Sequence, residues 1–473
     1  MKKRSRARWL RCTHLAATAL LSLCALPAAQ AQGVSSFAPD ELHSPKDRPP
    51  PDSLPDKPSI PLAFTIPVEP LGFSAPGAIY LGQRFSMASL DFLDENRLLF
   101  TFRVPGLIHR QAGDSWSNEE RQIRAVVLKL PSGAVEAETV WPLHDRSRYL
   151  WMLKDGHYLV RDRDNLLEGG PSLELKQILR FPGPLLSVSM DPTQQFMVTN
   201  SREPAGPKAG EVPSPSTASA NVTVAGSAAG SSGPGSQSSA DQDAAENSAA
   251  SQPDLVLRIL RRDSNKVMLV SRVRSTVRLP INADGYLESL RGNGAHWVLN
   301  LAYFTGGARV LGNVESACSP EYDFISQREV LVTACLPDGS DRLTAMDTDG
   351  HHLWENRTSA ISVWPLVVSS PDGSRLARET LAVTHSVNAY QPLDQSDIKG
   401  QLVRVFNAAT GGVVLTAPAS PALDAGGNVA ISPSGRRVAV INAGSIQVFE
   451  LPAPPPLPVV AQDQKTQKGQ TAH

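Results

Sequence analysis

Few side chains in this sequence have the types and spacing to do chemistry. His351 and His352 are adjacent. On a strand, neighbours point to opposite faces, so at most one could join a given metal site. They follow Asp347-Thr348-Asp349-Gly350, which opens like a calcium loop but lacks the later ligands such a loop needs, so a hairpin turn is expected there. Arg161-Asp162-Arg163-Asp164 is a charge run that reads as a solvated loop with local pairing. There is no GxSxG nucleophile elbow, no HExxH and no CxxC. No residue is therefore assigned as catalytic, cofactor-binding or metal-ligating, and no cofactor is expected.

Cys318 and Cys335 carry the one firm chemical expectation. Residues 1–31 read as a secretion signal with six basic residues and no acid, an apolar run at 15–26 and an Ala29-Gln30-Ala31 cleavage site. The apolar run is shorter than the roughly 20 residues a membrane span needs, and no other run could cross a bilayer. Leu23 before Cys24, where a small residue is required, argues against a lipoprotein. Cleavage leaves two of the four cysteines, in a chain bound for an oxidising compartment, periplasmic or extracellular. Cys318 precedes one expected strand and Cys335 ends the next, so antiparallel pairing would bring them within bridging distance. Buried free thiols are the alternative. Removing the six basic residues of the signal from the total of 45 leaves 39 against 46 acidic, a net charge near −7. That balance disfavours nucleic acid or an anionic membrane as partner.

The elements that would position any site are short strands. Residues 428–450, NVAISPSGRRVAVINAGSIQVFE, read as strand, tight turn, strand, glycine break, strand. The phrase recurs at 366–377, LVVSSPDGSRLA, with weaker copies at 187–199, 90–102 and 151–161. Such a repeating unit signals a propeller blade. Groups of three or four strands are expected from 87, 149, 185, 285, 322 and 366. A seventh, from 429, has three strands and needs an N-terminal strand, 65–68 or 78–85, to close the ring. Blade two is read as 149–153, 158–161 and 173–179, and blade four as beginning at Gly285. Residues 32–64 are Pro-rich and read as an extended linker. Residues 203–252 have no aromatic residue and are dominated by Ala, Ser, Gly and Pro, so they read as a disordered insert within blade three. The tail 452–473 reads likewise. The fold class is all-β, a seven-bladed propeller over 65–451.

Several stretches resemble the WD40-like, YVTN-type and quinoprotein-like propeller superfamily. Residues 370–377 (SPDGSRLA) and 432–439 (SPSGRRVA) look like its inner hairpin, 403–413 (VRVFNAATGGV) like an outer hairpin, and 345–354 (AMDTDGHHLW) like one quinoprotein-type repeat. The resemblance implies fold and says little of function. A quinone-dependent dehydrogenase would need repeated Trp docking motifs, and Trp116, Trp141, Trp151, Trp297 and Trp364 read instead as core or blade-interface residues. The expected function is an exported, non-catalytic, monomeric module that binds a protein, peptide or glycan. The alternatives are an enzyme with a funnel active site and a structural envelope component. Titratable groups converging on the funnel would favour the enzyme. A broad apolar patch would favour binding or structure.

Overall fold

The computed structural model describes residues 54–75, 86–106, 120–144, 147–203, 254–359, 362–385 and 393–453. The signal, most of the linker, the candidate closing segment 78–85, the insert from 204 to 253 and the tail from 454 lie outside the described residues.

Strand β1 (Phe64–Pro67) comes first. Blade 1 is β2 (Ala88–Asp94), β3 (Arg97–Arg103), β4 (Arg121–Lys129) and β5 (Ala134–Leu143). Blade 2 is β6 (Leu150–Met152), β7 (Tyr158–Asp162), β8 (Asn165–Gly169) and β9 (Lys176–Arg180). Blade 3 is β10 (Leu185–Met190), β11 (Phe196–Glu203), β12 (Asp254–Arg261) and β13 (Lys266–Val273). Blade 4 contains β14 (Gly285–Arg291), β15 (His296–Tyr303) and β16 (Ala308–Glu315). Blade 5 is β17 (Glu321–Phe324), β18 (Glu329–Cys335), β19 (Asp341–Asp347) and β20 (His352–Arg357). Blade 6 is β21 (Ser362–Ser369), β22 (Arg375–Val383), β23 (Ile398–Asn407) and β24 (Val413–Ala419). Blade 7 is β25 (Val429–Ile431), β26 (Arg437–Asn442) and β27 (Ser445–Glu450). Within each sheet, chain neighbours pair antiparallel.

A shared turn explains the repeating phrase. In blade 6 the Ser370 hydroxyl accepts the Arg375 N–H at 2.9 Å, and Gly373 takes φ 74°. In blade 7 Ser432 does the same for Arg437 at 3.1 Å, with Gly435 at φ 65°. In blade 3 the Asp191 carboxylate takes the serine's place, accepting from Phe196 N at 2.7 Å. A side-chain oxygen at the head of the turn thus satisfies the first donor of the second strand. The arginine that follows sews the blade to the next. Arg375 donates to the Gly435 carbonyl at 3.4 Å, and Arg437 donates to the Glu95 carbonyl at 2.6 Å.

Apolar side chains fill the seams between blades. Seven buried clusters among the described residues each join two neighbouring blades, from blades 7 and 1 (Phe92, Leu98, Ile441, Val448) round to blades 6 and 7 (Val405, Leu415, Val438, Phe449). A middle strand such as β3 buries both faces, which is why its sequence reads as an apolar run. β1 pairs with β27 from Phe64↔Val448 to Pro67↔Ser445, so the N-terminal strand closes blade 7. Of the two segments that could have closed it, the upstream one does. The chain is a seven-bladed β-propeller.

Three readings of the sequence need correction. Blade 2 has a strand, β8, between the two expected to be neighbours, and 176–180 is its outermost strand. The flanking charges and Gly169-Gly170 hid it. Arg161 is not in a solvated loop. It is buried in β7, and only Arg163 and Asp164 form the turn, with Arg163 at φ 54°. Blade 4 begins before Gly285. Its three regular strands are completed by 277–281, which runs beside β14 through an Ile281↔Tyr286 bridge and a Leu287 N–H to Pro280 carbonyl bond of 2.9 Å. Pro280 has no N–H to add, so the ladder stops there. Part of the Pro-rich stretch is seated on the ring. Ser59 hydrogen-bonds both backbone groups of Thr416 on β24, each at 2.8 Å, and Ile60 packs between blades 6 and 7.

Candidate functional site

The innermost strand of every blade faces the axis of the ring, and four of these passes carry charges. Asp91 lies on β2, Arg148 just before β6, Arg278 on the 277–281 pass and Asp323 on β17. They belong to blades 1, 2, 4 and 5. Arg148 lies close enough to Arg278 for their charges to repel, although blade 3 stands between their blades. Both side chains are solvent-accessible, as groups lining the central channel of a propeller can be.

Local structure sets each charge. Ser89 and Asp91 share one face of β2, alternating with the buried Leu90 and Phe92. The Ser89 hydroxyl donates to Asp91 Oδ2 at 2.5 Å. Burial pushes the Asp91 carboxyl up to about 6, against the pull of Ser89 and the Arg148 charge. Arg148 precedes Tyr149, which is buried with its hydroxyl 2.8 Å from that of Thr101. Arg148 Nε donates to the Leu150 carbonyl at 3.1 Å, and its guanidinium lies 5.7 Å from the centre of the Trp151 ring. Arg278 pairs with Asp323 and more distantly with Glu321, and Asp323 chiefly raises its already high pKa.

Behind the funnel, consecutive residues of β22 seal opposite seams. Arg378, almost fully buried, pairs with Asp341 of blade 5. Glu379 points the other way and accepts the Gly427 and Asn428 N–H groups at the entry to blade 7. Burial pushes its carboxyl up to about 8, and its Oε1 has no partner.

The chain matches no family model and no curated protein. Among solved structures it is similar to Pyrococcus horikoshii acylaminoacyl peptidase (8% identity, TM-score 0.40, 78% of this chain and 50% of that one). It is also similar to Chaetomium thermophilum Sqt1 bound to the N-terminus of ribosomal protein L10 (12%, 0.38, 77% and 96%). A third is Kluyveromyces lactis Hsv2 (12%, 0.34, 63% and 70%). The chain spans about half the length of the peptidase it matches. The likeness is one of fold alone.

Apart from Trp151, which backs Arg148, the described residues singled out in the sequence fall away from the funnel. Cys318 and Cys335 are joined by a disulfide with Cα atoms 5.5 Å apart, at the seam of blades 4 and 5. Asp347-Thr348-Asp349-Gly350 is the β19–β20 turn, where Asp347 accepts the N–H groups of Asp349 and His351 at 2.9 and 2.8 Å. The exposed His351 ring lies 2.8 Å from Asp347 Oδ2, which raises its pKa. Trp141 and Trp354 donate from the outer strand of one blade to a carbonyl of the next, at 3.1 Å to Leu173 and 2.6 Å to Ala408. Trp297 donates to Ser316 at 3.3 Å. Trp116 and the side chain of Trp364 lie outside the described residues. The four funnel charges escape sequence reading because no spacing links them. The one usable signal was Asp91 alternating with apolar residues on an inner strand.

Proposed function

We propose that this chain is an exported, non-catalytic binding module that takes a protein, peptide or glycan at its axial funnel. The observation that carries this is the solvent-accessible, mixed-sign cluster of Asp91, Arg148, Arg278 and Asp323 on the rigid inner strands. Fixed charges of both signs in a concave site give orientation and specificity to a polar ligand. The signal-like 1–31 segment and the disulfide support export to an oxidising compartment. The test is capture of partners from envelope extract by the mature chain, run beside an Arg148→Ala, Arg278→Ala double variant. A partner lost by the variant supports the reading, and identical capture by both refutes it.

One observation favours a second reading. A carboxyl held at about 6 in a solvent-accessible funnel suits acid–base catalysis near neutral pH. Asp91→Asn separates the two. A binding module keeps its ligand, whereas an enzyme keeps binding but loses turnover of it.

A further inference from the structure

Arg148 differs from the other arginines around the funnel. Arg278 faces Asp323 and Glu321, Arg378 faces Asp341, and Arg103 donates to the Ser86 carbonyl at 2.7 Å. Among the described residues, the two Nη groups of Arg148 make no hydrogen bond or ion pair. The rest of the side chain is held. Nε is tied to the Leu150 carbonyl, and the guanidinium plane is backed by Trp151, itself buried to 6% exposure. A guanidinium fork fixed at one end and open at the other matches the two oxygens of a carboxylate. Holding it in place beforehand removes much of the ordering cost of binding.

We propose that Arg148 is a carboxylate receptor, and that the funnel takes a peptide through an acidic side chain or a free chain end. This rests on the funnel being the binding site, and it names the chemistry bound there. A carboxylate fits better than a phosphate because the funnel is not a basic hole. The charges of Asp91, Arg148, Arg278 and Asp323 cancel, and Glu321 adds a further negative one. A dianion would meet three carboxylates with twice the charge that a single peptide carboxylate brings.

Asp91 also makes the capture depend on pH. It faces Ser89 on its own strand and Arg148 and the buried Tyr149 entering β6, with Arg103 of β3 also near Tyr149 and Arg278 on the far side of Arg148. As the pH falls through about 6, Asp91 loses its charge and stops repelling the bound carboxylate. Capture therefore strengthens on acidification, while an ordinary ligand carboxylate, with a pKa of about 4, stays ionised.

The experiment uses the whole mature chain and arrays of short synthetic peptides, acidic, neutral or basic, each with a free or an amidated C-terminus. Binding is read at about pH 7.5 and about pH 5.5, with inorganic phosphate as competitor. Arg148→Met keeps the apolar stem on Trp151 and removes the fork. The expected result is capture of carboxylate-bearing peptides, weakened about tenfold or more by Arg148→Met. Asp91→Asn should tighten binding at the higher pH and abolish its pH dependence. Equal binding by Arg148→Met, equal binding of neutral amidated peptides, or displacement by phosphate as strong as by peptide overturns the proposal. Capture of a glycan or a protein that Arg148→Met leaves unchanged overturns it while the funnel reading survives. A wild-type funnel that captures nothing sinks both.

Discussion

Blades 4 and 7 each have three regular strands from one local stretch of chain, and each is completed by a fourth pass of a different kind. Blade 7 gains β1 at its outer edge, with four consecutive register pairs. Blade 4 gains 277–281 at its inner edge, with a single bridge and Pro280 in the middle. Burial does not distinguish them. Ile66 of β1 is 3% exposed and Ile281 is 2% exposed. The ladder does, and so does position. Regular pairing holds the ring where the two chain ends meet. Irregular pairing is tolerated beside the funnel, where Val277, Leu279 and Ile281 anchor the pass on blade 3 and Arg278 between them stays wet. Apolar burial is enough to seat a strand, and hydrogen-bond regularity matters most where closure depends on it.

The largest expected effect is therefore at β1. Ile66 sits in the cluster joining blades 7 and 1, and so close to blade 1 that a Cβ on Gly133 would lie 2.8 Å from its Cγ2. Ile66→Ala should cost about 2–5 kcal/mol, and Ile66→Asp more, because it strands a charge in the closing seam. Urea denaturation gives the loss. Native-state hydrogen exchange should show blades 7 and 1 opening first and blade 4 keeping its protection. If blade 4 opens first, closure is not where the ring is held.

Glu379 tests the same side of the ring by pH. Its carboxyl is raised from 4.5 to about 8 by burial beside Gly427 and Asn428. The folded state therefore holds a proton that the unfolded chain releases. The stabilisation is complete below about pH 4.5 and is lost as the pH rises towards 8. Between pH 4.5 and neutrality the loss is on the order of 3 kcal/mol. Glu379→Gln should flatten that decline in melts across the range, and an unchanged slope would place the titration elsewhere.

The blade 4 side relies on a covalent tie instead. Only residues 316–320 separate β16 from β17. Cys318 in that link is bonded to Cys335 at the end of β18, and Ala317 N donates to the Cys335 carbonyl at 2.9 Å. Replacing both cysteines by serine should cost about 3 kcal/mol, from a separation of 17 residues. Denaturation under oxidising conditions measures it, and mass spectrometry of a non-reduced digest checks the bond itself. Free thiols in the protein from its native host would remove the tie from the comparison.

What could be read from the sequence follows the same division. Blades 6 and 7 announce themselves through SPDG and SPSG because their turns depend on local chemistry, a serine oxygen and a glycine at positive φ. Cys318 and Cys335 drew attention because they flank one expected antiparallel pair, with Cys318 in the link before β17 and Cys335 at the end of β18. The inner pass of blade 4 was hidden because Pro280 argues against a strand, and β8 because Asn165–Gly169 lies between a charge run and a glycine pair. The funnel was least legible of all. Arg148 and Arg278 are more than a hundred positions apart and come within range of each other only because the blades are arranged in a ring.

The smallest expected effect bears most directly on the contrast. Pro280→Val gives the inner pass the N–H it lacks, which would add about 0.5–1.5 kcal/mol if a ladder bond to β14 forms. The substitution also frees the unfolded chain, which costs about 0.4–1 kcal/mol. The two nearly cancel, so the melting temperature should hardly move. Exchange and function should move more. New protection at position 280 and on β14 would show that the proline alone interrupts the ladder. A straighter pass would also turn Arg278 relative to Asp323, and capture at the funnel should weaken although stability is unchanged. If Pro280→Val gains protection and still binds as the wild type does, the irregularity of blade 4 serves neither the fold nor the funnel, and its contrast with blade 7 is one of sequence history alone.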